Sequence, residues 1–191
     1  MAEIYSGYTL VMDTVVSIAV RRAREDDLPA IQRIYNDEIL TGTATWDETP
    51  WTIERRREWF AGHDDLSPVL IAEAANGDVA GFAYLSRMSD KSGWRFTRED
   101  TIYIDPACRG RGVGRVLLEA LLEEARRIGL RLIVASITSE NAASIALHRR
   151  CGFETVGTFR NAGFKFGRWL DTTDMQVDLG DPADRARPKA P

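Results

Sequence analysis

The sequence predicts an α/β (α+β) domain, with strands and helices alternating along the chain. Three observations carry that reading. Asn76-Gly77 separates two apolar runs, residues 69–74 and 79–85, and marks an antiparallel hairpin because both central residues tolerate positive φ. A short β-branched strand, residues 101–104, ends at Asp105-Pro106 and passes through a glycine-rich loop into a long amphipathic helix. Residues 131–138 then alternate, with Leu132, Val134 and Ser136 on one face and Ile133, Ala135 and Ile137 on the other.

The elements follow in order. Residues 1–16 read as an N-terminal extension, and residues 17–22 as the first strand. Asp26 or Asp27 caps a helix with Pro29 in its first turn, where a missing N–H costs nothing. Leu28, Ile31, Ile34 and Tyr35 form its apolar stripe, and the Gly/Thr-rich residues 41–45 end it before Trp46. Thr52 caps a second helix through Phe60, although Arg55 at the third position gives no capping box. After the hairpin, a polar loop over residues 86–95 leads to the strand at 101–104. The helix over 113–128 aligns Val113, Val116, Leu117, Ala120 and Leu121 on one face, and Gly129 closes it. A short helix over 141–150 closes at Gly152, and residues 153–159 and 174–179 supply the last strands. Residues 180–191, rich in Pro, Ala and charge, are expected to be a disordered tail, which leaves 17–179 as the domain.

At 191 residues the chain is long enough for one well-buried core. A net charge of −4 and a pI near 5.3 argue against general nucleic-acid binding, which needs a basic face. No apolar run is long enough for a membrane span. Residues 8–20 resemble the apolar part of a signal peptide, but Asp13 interrupts them, Glu3 precedes them, and no small-residue cleavage site is clear. Cys108 and Cys151 are the only cysteines, so reduced thiols and a cytoplasmic location are expected. His63 and His148 stand far apart without a third ligand, so no metal is expected.

The loop carries the chemistry. Gly110, Gly112 and Gly114 let backbone N–H groups approach an anion, the helix that follows adds its N-terminal donors, and Arg109, Arg111 and Arg115 add charge. That combination suits a pyrophosphate. A P-loop would need Lys and Ser/Thr after its last glycine, which Val113-Gly114-Arg115 does not supply. A dinucleotide fingerprint would need different glycine spacing and an acidic residue about 20 positions on.

The remaining pattern, Arg-x-x-Gly-x-Gly/Ala after a strand, resembles the acetyl-CoA loop of the GNAT acyltransferases, and Arg109 to Gly114 match it position for position. The likeness spans residues 18–179 and is greatest to the phosphinothricin and methionine-sulfoximine N-acetyltransferases. It rests on Ile34 to Asp37, Thr45-Trp46, Phe96 to Glu99, Asn141 to Ile145, His148 to Phe153 and Gly163 to Asp171. The resemblance implies a mixed, mostly antiparallel central sheet, flanked by helices and splayed beside residues 101–104. The backbone of Ile102, Tyr103 and Ile104 would pair with pantetheine. Arg109, Gly110, Arg111, Gly112, Val113, Gly114 and Arg115 would take the pyrophosphate, and Asn141 and Ser144 would line the thioester end. Glu99 would be the general base, and His148 would protonate the thiolate. A homodimer is implied too, with residues 163–171, Lys165 among them, near a shared acceptor site.

The likeness departs at one point. Members of the subgroup carry an aromatic-plus-basic pair where this chain has Met88-Ser89, so Arg87 or Lys91 would have to hold an acceptor carboxylate. Trp46, Trp94, Phe96 and Trp169 are candidate walls for the acceptor, with Trp94 and Phe96 preferred. The expected reaction is acetyl transfer to the amine of a small amino-acid analogue. A polyamine or peptide N-terminus as acceptor, or a non-catalytic acyl-CoA-binding module, are the alternatives. For Glu99 the alternative role is a solvated loop carboxylate, and for His148 a packing residue.

Overall fold

A computed structural model describes residues 5–11, 14–181 and 183. The elements are β1 (Tyr5–Val11), β2 (Thr14–Arg22), α1 (Leu28–Thr41), α2 (Ile53–Ala61), β3 (Val69–Ala74), β4 (Val79–Arg87), β5 (Thr97–Ile104), α3 (Val113–Arg127), β6 (Leu132–Thr138), α4 (Ala142–Arg150), β7 (Glu154–Lys165) and β8 (Arg168–Asp178). Residues 5–11, within the expected extension, pair antiparallel with β2. Of the expected tail, residues 182 and 184–191 lie outside the described residues.

The strands form one sheet in the order β1-β2-β3-β4-β5-β6-β8-β7, antiparallel throughout except for β5 and β6. Side-chain alternation gives the sheet two apolar faces. Val69 and Ile71 of β3, with Phe82 and Tyr103, pack against Leu28, Ile31, Ile34 and Tyr35 of α1. Leu70 and Ala72, with Leu85, Ile133 and Met175, pack against Leu117, Leu118 and Leu121 of α3. The helical stripes expected from the sequence are therefore buried, Val116 of α3 only partly.

Local chemistry sets the element ends. The Thr52 hydroxyl accepts from the Arg55 N–H at the start of α2. Gly129, at φ +82, lets the chain turn beyond α3. The hairpin between β3 and β4 differs in detail from a two-residue turn. Only Gly77 takes positive φ; its N–H donates to Ala74 O, and Asn76 Oδ1 accepts from the Asp78 N–H. That asparagine-assisted geometry spares Asn76 the left-handed region.

One buried cation joins α2 to α1. Arg56 is about 1% exposed, and its guanidinium lies 4.3–4.6 Å from the ring centroids of Tyr35, Trp51 and Trp59. Its Nε and Nη2 have no hydrogen-bond partner among the described residues, so the ring faces are its main compensation. Burial pushes its pKa down to about 10.

The functional consequence of the topology lies at the parallel pair. β5 and β6 are matched only over Thr97–Glu99 and Leu132–Val134. Beyond this, β5 stays with β4 as far as Ile104, while β6 follows β8 as far as Thr138. The two half-sheets diverge with their twist. Among the described residues, the edge of β5 from Asp100 to Ile104 thus has no strand beside it on the β6 side.

Candidate active site

The divergence opens a cleft of about 640 Å³ between residues 99–104 of β5 and residues 135–138 of β6. The glycine loop closes one end, and α4 supplies Asn141, Ser144, Leu147 and His148 along one wall. Tyr35, Thr45, Trp46 and Tyr84 also line it, and Tyr35 and Tyr84 belong to the apolar cluster that includes α1.

Gly110 at φ +74 and Gly112 at φ +79 place the loop in the left-handed region, and Gly112 is the residue from which α3 starts. A Cβ added at Gly110 would meet nothing within 4 Å, so this turn is open toward a ligand. The loop and the first turn of α3 together present backbone N–H groups of the kind that can receive an anion. The three arginines behave differently. Arg109 donates to Glu38 Oε2 at 3.0 Å and to Ile104 O at 3.2 Å, which fixes the loop against α1. Arg115 is held by Glu119 at 2.8 Å, and Arg111 is exposed. Arg109, Gly110, Gly112, Val113 and Gly114 line the cleft, as do Ile102, Tyr103 and Ile104; Arg111 and Arg115 stand outside it.

Glu99 is half-buried at the point where the strands part. Burial raises its pKa above the ordinary glutamate value. The Ser136 hydroxyl opposes this by favouring the ionised form, while Asp100 and Asp174 add to the rise. A carboxyl group shifted toward neutrality in a cleft is suited to take a proton from an ammonium.

His148 is buried in the wall. Its Nε2 lies 3.1 Å from Asp100 Oδ2 and its Nδ1 lies 2.8 Å from Ser144 O, while its ring meets Phe153 edge-on at 4.9 Å. Burial alone would lower its pKa; the bond to Asp100 and its charge outweigh that and raise it. Asn141 caps α4 by accepting from the Ser144 N–H at 3.1 Å, which fixes both residues at the cleft.

The acceptor candidates divide. Trp46 lines the cleft, and its Nε1 donates to Thr138 Oγ1 at 3.0 Å. Arg87, Lys91, Trp94 and Phe96 do not line it. The register explains why: Arg87 pairs with Arg98, so the loop after β4 emerges at the end where β5 and β6 are still joined. Arg87 faces Asp64 at 3.9 Å, and Trp94 and Phe96 are exposed. Lys165 is also elsewhere. The residue is about 1% exposed, and its ammonium donates to Thr45 O at 2.7 Å, Gly42 O at 2.8 Å and Glu38 O at 3.4 Å. Trp169 is exposed on β8.

Tyr35, Glu38, Tyr84, Ser136 and Thr138 join the cleft without having been singled out as site residues, and so does Asp100. Of these, Tyr35 stands in the matching stretch Ile34 to Asp37 and Asp100 next to Glu99; the others carried no site signal of their own.

Residues 20–173 match the family described as Acetyltransferase (GNAT) domain. The chain is 46% identical over 165 residues to the L-methionine sulfoximine/L-methionine sulfone acetyltransferase of Pseudomonas paraeruginosa, covering 86% of this chain and 96% of that protein. A crystal structure of a ribosomal-protein-alanine N-acetyltransferase from Brucella melitensis superposes with a TM-score of 0.81 at 44% identity, over 84% of this chain and 99% of that one. A GNAT phosphinothricin acetyltransferase from Sinorhizobium meliloti, solved in complex with AcCoA, gives 0.81 at 39% identity, over 85% and 89%.

Proposed function

The chain belongs to the GNAT acetyltransferases, and on that footing we propose that it transfers acetyl from acetyl-CoA to the amine of a small amino-acid analogue of the methionine sulfoximine, methionine sulfone or phosphinothricin type. The observation that carries this is the unpaired edge of β5. It runs from Asp100, just past Glu99 at the closed end of the splay, to a glycine loop and a helix N-terminus.

The residues present fit acetyl-CoA. The free edge over Ile102 to Ile104 suits an amide-bearing arm that pairs as a strand would. The loop from Arg109 to Gly114 suits a pyrophosphate, and Asn141 and Ser144 suit the thioester end. Acetyl-CoA supplies the activated acyl group; the chain supplies placement and proton transfer. Glu99 takes the proton from the incoming ammonium. Backbone N–H groups along β5 favour negative charge on the carbonyl oxygen. His148 lends a proton to the sulfur that departs.

A second reading keeps the reaction and changes the acceptor to a polyamine or a peptide N-terminus. The cleft wall favours it in one respect. Glu38, Glu99 and Asp100 line the cleft, whereas its arginine, Arg109, is already paired with Glu38. One similar structure is named for ribosomal-protein alanine.

We also propose a homodimer. Val156, Phe159, Phe164, Phe166 and Trp169 are each 50–63% exposed on the β7–β8 edge, an apolar surface that suits a second copy. Cys108 and Cys151 are both free thiols, which suits the cytoplasm. The test of the mechanism is Glu99→Gln. It should lower kcat by about 10²–10⁴-fold with little change in acetyl-CoA binding. Undiminished kcat would remove Glu99 from its role.

A further inference from the structure

Asp100 and His148 meet inside the cleft wall, 48 residues apart in the chain, with side chains only 1% and 2% exposed. His148 Nδ1 faces the Ser144 carbonyl oxygen, which can only accept, so this nitrogen carries a hydrogen. Nε2 faces Asp100 Oδ2 at 3.1 Å, and that contact needs a proton as well. An imidazole is ordinarily the stronger base of the two. The other carboxylate oxygen, Asp100 Oδ1, is buried without a hydrogen-bond partner among the described residues, so the ring is the chief compensation for the charge.

We propose that Asp100 is a positioning residue for the acetyl transfer: it holds His148 as an imidazolium, in one orientation, at the wall where the thiolate departs. This rests on the reading of His148 given above. In the step, the C–N bond forms and the C–S bond breaks with its electron pair going to sulfur. The amine proton goes to Glu99, and the sulfur receives one from the imidazolium. Ser144 Oγ, 3.4 Å from Nδ1 and in the cleft lining, gives that proton a route. The ring, left neutral opposite the Asp100 carboxylate, then regains a proton from solvent.

The surroundings agree. Asp100 on β5 is the charged partner of the ring and raises it against the effect of burial. Cys151, just beyond α4, has its thiol pushed up to about 11 by burial and is neutral near pH 7. Glu99 precedes Asp100 on β5, and Asp174 on β8 acts on Glu99. Arg149 and Arg150 on α4 are exposed.

The test is an NMR titration of the histidine ring nitrogens in the wild-type enzyme and in Asp100→Asn, without acetyl-CoA. His63 is the only other histidine, so His63→Gln assigns the signals. In the wild type the midpoint of His148 should lie above the ordinary imidazole value of about 6.5. In Asp100→Asn burial should prevail, and the midpoint should fall below the ordinary imidazole value of about 6.5. In parallel, kcat should fall roughly tenfold at pH 8 and change by less than about threefold at pH 6. A wild-type His148 already neutral at pH 6.5 would overturn the proposal. So would a midpoint unmoved in Asp100→Asn, or a kcat lowered equally at every pH. The ring titration is read without substrate, so it stands apart from any failure of the proposed acetyl transfer.

Discussion

Replacing Lys165 by Met separates a structural tie from a substrate contact. The ammonium donates to Thr45 O at 2.7 Å and Gly42 O at 2.8 Å, and more weakly to Glu38 O at 3.4 Å. Two short, charge-assisted bonds are worth about 3–6 kcal/mol together. Against that stands the cost of burying the ammonium, visible in the lowering of its pKa by burial, and this cost vanishes with Met. Met has similar length and fills the same space, so the net loss should be about 2–3 kcal/mol. For a chain of this size that lowers Tm by roughly 5–10 °C. The freed carbonyls belong to the segment that carries Trp46 into the cleft, so the acceptor KM should rise while the acetyl-CoA KM holds. Thermal unfolding and steady-state kinetics on the same variant decide the matter. Stability within about 0.5 kcal/mol of wild type, with the acceptor KM still raised, would refute the tie and return Lys165 to the substrate.

Two further outcomes follow from the cleft. Ser136→Ala removes a hydroxyl that favours ionised Glu99, so the acid limb of kcat/KM should move to higher pH, and Asp174→Asn should move it lower; an unmoved limb would mean that the limb is not that of Glu99. Gly110→Ala and Gly129→Ala both force a side chain into positive φ with open space around it, at about 1–2 kcal/mol each. Both should lose similar stability by urea unfolding, yet only Gly110→Ala should raise the acetyl-CoA KM, because Gly129 lies beyond the far end of α3.

That the glycine loop and α4 line one cleft was legible because their signal is local. A strand, a loop of glycines and an amphipathic helix occupy consecutive residues from 97 to 127, and Asn141 caps the helix that carries Ser144 and His148. Which residues of the loop after β4 reach the cleft was not, because strand register decides it. Arg87 and Phe96 flank a loop whose position depends on Arg87 pairing with Arg98. Lys165 finds its carbonyl partners about 120 residues away, and Asp100 meets His148 across 48. No spacing rule reaches that far. The strands at the C-terminal end were underestimated for a related reason. β7 extends to Lys165 through a bulge near Asn161, and a Phe166-Gly167 turn with both residues at positive φ returns the chain into β8. A bulky residue in the left-handed region gives no turn signal in the sequence.

The central claim is tested most directly by measuring CoA-thiol release from acetyl-CoA over a panel of amines. The panel holds L-methionine sulfoximine, L-methionine sulfone, L-phosphinothricin, spermidine and a short peptide. The account predicts that the three amino-acid analogues give the highest kcat/KM, and that Glu99→Gln abolishes most of that turnover. Turnover confined to spermidine or the peptide would contradict the amino-acid acceptor, and no thiol release with any amine would contradict the enzyme.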